Sequence, residues 1–200
     1  MRLREFEGKK LFRRYKIPVP RGMVLHRRIS SIALPAPLVV KAQVYFGERQ
    51  KSNAILFARN KKEVIARIAS LLGREIRGEK VKKILLEERI ASQAEYYVSI
   101  SYDTDIRGPT LALSSRGGSG IKKASLFPID ILIGLPDFFV RSSLLVSGFP
   151  KEDINGILSI VQNLWSLFIK EHALLAEINP LIKTRDNRFI LPPSRISRVP

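Results

Sequence analysis

The spacing of apolar residues predicts an α+β fold in two lobes, and three stretches carry that prediction. Ala54–Ala58 followed by Asn60–Gly73 reads as a strand running into a capped helix. Residues 96–102, YYVSISY, alternate as a half-buried strand does. Lys151–Glu171 repeats apolar residues at helical spacing and leads into the apolar strand Ala173–Ile178.

From the N-terminus, residues 3–15 predict a short helix with Leu3, Leu11, Phe12 and Tyr15 on one broad face. Pro18-Val19-Pro20 ends it and turns the chain toward a strand at Met23–Leu25. After the break at Pro35-Ala36-Pro37, Leu38–Val40 reads as a buried strand that delivers Lys41 at its end. Residues 44–53 are polar and predict a loop or hairpin, with Ala54–Ala58 returning as a strand.

Asn60 and Glu63 have the spacing of a capping box. Val64, Ile65, Ile68, Leu71 and Leu72 follow at helical spacing, and Gly73 suits the position after a helix end. Ile84–Glu87 is a further strand. The alternation in 96–102 puts Tyr96, Val98, Ile100 and Tyr102 on one face. Turn chemistry at Asp103–Gly108 and an apolar return at Thr110–Ser115 make this a hairpin. Pro128, Pro136 and Pro150 cut 116–150 into short pieces with no assigned element. Ile154, Ile157, Val161, Leu164, Trp165 and Phe168 form the stripe of the long helix, and Phe189–Leu191 closes the pattern as a strand.

Composition bounds the function. With 45% hydrophobic residues the chain can bury a core, and without cysteine it can form neither disulfides nor thiolate metal sites. The charged N-terminus is no signal peptide and no apolar run approaches a membrane span, so a cytoplasmic chain without membrane association is expected. Thirty-five basic against 18 acidic residues give a net +17, which attracts polyanions. The excess is dispersed, with no zinc spacing or aromatic-basic signature beside it. Nonspecific nucleic-acid binding is the most it supports.

A few residues suggest chemistry. Lys41 at a strand end reads as a snorkelling side chain or as a cation set for an anionic ligand. Glu87 and Glu95 stand at strand positions and read equally as solvated charges. Glu177 and Asn179 in Glu177-Ile178-Asn179-Pro180-Leu181 would share one side of an extended strand, about 7 Å apart. Two oxygen donors so placed suit Mg²⁺, and a hydrogen-bonded turn before Pro180 is the alternative.

Five ordered segments resemble the β subunits of ADP-forming succinate–CoA ligases, with the related ATP-citrate lyase and malate–CoA ligase chains. They are LREFEGKKLFRRYKIPVPRG, VVKAQVYFGERQK, ILLEERI with Glu95-Tyr96-Tyr97, SSRGGSGI and LLAEINPLIKT. The resemblance runs from Met1 to about Leu191. It implies an ATP-grasp fold in which two lobes hold ATP between their sheets, residues 20–95 forming an inserted small lobe. It further implies that Lys41 contacts the phosphates and that Glu48, Arg49 and Gln50 approach them from a loop. Glu87 and the backbone near Ile90 would hold the adenine end, Glu95 would lie by the ribose, and Asn179 would bind Mg²⁺. The implied partner is an α-type CoA-ligase subunit or separate domain carrying the phosphorylated histidine. His26 and His172 match no catalytic position, so no catalytic residue is assigned.

Three positions depart from that pattern. The phosphate loop GERQKSNA holds a single glycine where backbone amides need close approach. Pro193 stands where a Mg²⁺-binding aspartate is expected, and Arg116 replaces the acid before Gly117-Gly118. The C-terminal CoA-ligase domain is expected to be absent. The resulting expectation is an ATP- and Mg²⁺-binding ATP-grasp domain with compromised or partner-dependent catalysis. Its rivals are a noncatalytic partner-binding module and a nonspecific polyanion binder.

Overall fold

The computed structural model describes residues 3–45, 53–118, 123–192 and 194–198. The chain divides into two compact units, Pro20–Arg89 and the larger Met1–Val19 with Ile90–Pro200. It opens with α1 (Glu5–Arg14). The smaller unit then contributes β1 (Gly22–Leu25), β2 (Leu38–Ala42), β3 (Ile55–Ala58), α2 (Lys61–Leu71), β4 (Glu75–Ile76), β5 (Glu79–Lys80) and β6 (Ile84–Glu88). The larger unit continues with β7 (Ala94–Asp103), β8 (Gly108–Ser114), β9 (Ser125–Pro128), α3 (Asp137–Val146) and α4 (Ile154–Lys170). It ends with β10 (Ala173–Lys183), β11 (Phe189–Ile190) and β12 (Ser194–Arg198).

In the smaller unit β1-β6-β2-β3 form an antiparallel sheet. Alternation along its strands sends Leu38, Val40, Ile84 and Leu86 to one face, where Val64, Ile68 and Leu71 of α2 complete a core. The capping expectation at α2 holds with one change. Asn60 Oδ1 accepts from the Glu63 N–H at 2.9 Å, but Glu63 Oε2 accepts from Arg59 N–H, one residue before the cap. Because Asn60 is exposed, Asn60→Ala removes the cap and little else. It should cost about 1 kcal/mol, read as a lower midpoint in thermal denaturation. The β4–β5 hairpin falls where the sequence shows only a basic run.

The larger unit carries a sheet in the order β11-β10-β7-β8-β9, with β12 pairing β10 beside β11. Ile157, Val161, Leu164 and Phe168 of α4 are buried in one cluster with Val98, Ile100 and Ile178 of the sheet and Leu11 and Phe12 of α1. The stripe predicted for the long helix is thus its buried face. A helix and a strand also lie within 116–150, because the prolines there bound elements instead of breaking them. Pro128 closes β9, and Pro136 occupies the N-cap of α3, where a missing N–H costs little. Charge also enters the core of α1: Lys9 Nζ donates to Glu5 Oε1 at 2.7 Å, both residues buried. Among the described residues, no helix is long and apolar enough to cross a membrane.

Candidate functional site

In the smaller unit, the sheet face opposite α2 holds an ion pair. Every residue of β2 is buried, so Lys41 does not snorkel from a strand end; it is 6% exposed within the strand. The register sets Val39 opposite Glu87 and Lys41 opposite Leu85, so Lys41 and Glu87 are diagonal neighbours on one face. Lys41 Nζ donates to Glu87 Oε2 at 2.7 Å, and Glu87 is 1% exposed. On the neighbouring strand Gly22 makes room for that carboxylate: a Cβ there would lie 2.8 Å from Glu87 Cγ and 2.6 Å from the Leu86 carbonyl oxygen. Glu88 points the other way and pairs with Arg21, Nε to Oε2 at 3.1 Å.

In the larger unit, two expected residues, Asn179 and Glu95, converge on the glycine pair. β10 carries a register shift between Ile178 and Leu181, so Asn179 and Pro180 together oppose the single Tyr97 of β7. The strict alternation that set Glu177 and Asn179 on one side therefore stops at the bulge, which also contains the cis Asn179–Pro180 peptide. Asn179 Oδ1 accepts from the Gly118 N–H at 2.8 Å. Gly117 N–H donates to the Glu95 carbonyl at 2.7 Å. A Cβ on Gly117 would fall 2.3 Å from the Tyr96 carbonyl oxygen, and one on Gly118 would fall 2.8 Å from Glu95 Oε2. Only glycines let this loop lie against β7 so closely. Next to this cluster Glu177 pairs with Ser99, whose Oγ is 3.0 Å from the Tyr97 hydroxyl.

Behind Glu95, on the helix side of the sheet, lies a buried triad absent from the sequence reading. Asp153 is the N-cap of α4, but its carboxylate makes no helix cap. Instead it accepts from the Tyr96 hydroxyl at 2.5 Å and from Lys183 Nζ at 2.5 Å, all three residues being buried. Burial first, then the hydrogen bond to Asp153 and its charge, hold the Tyr96 phenol above the ordinary tyrosine range. The triad ties the start of α4 to β7 and β10 at the level of Glu95, which pairs with Ile182. One signal was available: Lys183 follows the apolar run Leu181-Ile182 as Lys41 follows Val39-Val40.

Glu48, Arg49, Gln50 and Pro193 lie outside the described residues. Ile90 is half-buried between β6 and β7. Among the described residues no group of three or more His, Cys, Asp or Glu is placed to hold a metal ion. Asn179 offers a neutral amide already engaged with Gly118, so these residues do not make a magnesium site by themselves.

A family model described as the ATP-grasp domain matches residues 2–183. The chain is 35% identical over 196 residues to the succinate–CoA ligase [ADP-forming] subunit beta of Methanocaldococcus jannaschii, covering 93% of this chain and 54% of that one. It thus spans about half the length of the curated relatives it matches. Its fold is similar to that of ATP citrate lyase from Methanothrix soehngenii (TM-score 0.78, 21% identity, 98% of this chain and 50% of that chain). A dinucleotide-forming acetyl-coenzyme A synthetase 1 from Ca. Korarchaeum cryptofilum, solved with coenzyme A and Mg-AMPPCP, gives a TM-score of 0.74. It is 18% identical, with 99% of this chain and 93% of that chain covered.

Proposed function

Because the chain belongs to the ATP-grasp domain family, we propose that it binds ATP as the nucleotide-binding part of an acid–CoA ligase of the succinate–CoA ligase β-subunit type. The observation that carries this reading is Lys41, a cation held buried in a sheet beside Glu87, within the matched segment. A buried, pre-oriented cation acts on phosphate without reorganisation, and in low dielectric it acts strongly. In this reading Lys41 holds the phosphates and Glu87 with the Ile90 backbone takes the adenine end. Glu95 takes the ribose, and the loop of Glu48, Arg49 and Gln50 approaches the phosphates. When bound, ATP supplies a transferable phosphoryl group.

Mg²⁺ would arrive with the phosphates, since the described side chains supply Asn179 and no carboxylate cluster. Arg116 and Pro193, in place of acids, support weakened phosphoryl transfer that depends on an α-type partner. A cytoplasmic setting fits the same reading.

The experiment is thermal denaturation of the whole chain with ATP, ADP and tripolyphosphate at matched charge. Ligand at about 100 times its Kd adds roughly 2.7 kcal/mol, so millimolar ATP gives a readable shift for a Kd on the order of tens of micromolar. ATP should raise the midpoint clearly above tripolyphosphate, and Lys62→Ala, at an exposed position in the first turn of α2, should leave that difference unchanged. Equal shifts from both anions, lost together at high salt, would instead identify a polyanion binder.

A further inference from the structure

One apolar patch of the larger unit serves no part of the nucleotide reading. The turn that follows Asp130 presents Ile131, Leu132 and Ile133 at 56%, 93% and 70% exposure. It is held in shape from within. Asp130 Oδ1 accepts from the N–H groups of Leu132 (2.8 Å) and Ile133 (3.3 Å), and the Asp130 carbonyl accepts from Gly134 at 2.7 Å. Beside this knob lies a groove of about 320 Å³ lined by Tyr102, Ile131, Phe168, Ile169, His172 and Leu174. Ile131 belongs to both, so knob and groove are adjacent on one surface.

The geometry points to a second copy of this chain as the occupant, each Leu132 entering the groove of the other about a two-fold axis near Ile131. Three observations select it. An isologous contact needs a patch complementary to itself, and a knob next to its own kind of groove meets that need. The exposed parts of Tyr102, Ile131–Ile133, Ile169 and Leu174 sum to on the order of 700 Å² per copy, close to the roughly 800 Å² a partner buries in a stable interface. The charges adjoining the patch also argue against an anionic surface. The sequence neighbours of its lining residues are the acids Asp103, Asp130 and Glu171 and the base Lys170, and Glu171 is paired with Arg14 at 3.3 Å, which leaves Asp103 and Asp130 against Lys170 in a chain of net +17. An anionic surface gains no attraction there, while Lys170 of one copy can meet Asp103 or Asp130 of the other. The fixed turn reduces the ordering cost of association.

The test is sedimentation equilibrium of the full chain over about a hundredfold range of micromolar concentration, on the native protein, Leu132→Asp and Val146→Asp. Val146 is a matched control, 74% exposed on α3 and outside the groove lining. The expected result is a concentration-dependent dimer for the native chain and Val146→Asp. Leu132→Asp should weaken dimerisation at least about tenfold, with Leu132→Ser intermediate. A native chain monomeric throughout, or a dimer indifferent to both Leu132 variants, overturns the proposal. So does a monomer that floats with neutral phosphatidylcholine vesicles and loses them on Leu132→Asp, since the patch would then serve a lipid surface. Far-UV circular dichroism of each variant confirms the fold, and nucleotide binding plays no part in the readout.

Discussion

Removing either partner of the Lys41–Glu87 pair should destabilise the protein by about 3–5 kcal/mol, while removing both should cost little. The asymmetry follows from burial. Lys41 and Glu87 are 6% and 1% exposed, so Glu87→Leu alone leaves a buried ammonium without its 2.7 Å carboxylate. Lys41→Met alone leaves the reverse. In the double variant two apolar side chains of similar volume meet on a sheet face already lined by Val39 and Leu85, and the desolvation penalty of both ions disappears. Urea denaturation of the four proteins closes this cycle, with unchanged m values required. Nucleotide binding separates the two roles of the pair. The double variant should fold like the native chain and yet bind ATP at least about tenfold more weakly, because a charge-assisted phosphate contact contributes roughly 1.5–3 kcal/mol. A stable double variant with native ATP affinity would show that the pair is architecture alone, and the nucleotide reading would lose its main support.

Asp153→Ala should have an effect of the same size in the larger unit. The substitution strips the counter-charge from buried Lys183 and the acceptor from buried Tyr96, for a loss of about 3–5 kcal/mol. In a chain of this size that lowers the midpoint by about 6–20 °C. Asp153→Asn keeps an oxygen for the Tyr96 hydroxyl but no charge for Lys183, so it should fall between native and Ala.

Alkaline titration provides a second handle on the triad. The folded phenol is held protonated above the unfolded tyrosine value of 10.0, so its share of stability is complete below that pH. As pH rises further, the unfolded state alone releases the proton, and that share is lost. Tyr96→Phe should therefore show a shallower decline of stability above pH 10 than the native protein. Identical slopes would mean that Tyr96 ionises as freely in the folded chain as in the unfolded one.

What could be read from the chain in isolation was whatever local periodicity and turn chemistry specify. The α2 cap at Asn60, the hairpin from Tyr96 to Ser114 and the stripe of α4 all stand where their spacing put them. The ATP-grasp fold was legible because ordered motifs such as AEINPL carry family identity within single segments. The candidate site was legible as a set of proposed residues only.

Which of those residues touch was decided by tertiary structure. Lys41 and Glu87 meet across 46 positions because β6 pairs with β2 in one register, and a one-residue slip would turn Glu87 to the opposite face. Asn179 faces Gly118 through a bulge that alternation does not foresee. Asp153 reaches Tyr96 across 57 positions because α4 packs on β7 and β10. A charge on an isolated strand reads as solvated, since water is its cheapest partner; only when packing removes the water does the identity of the opposing side chain matter.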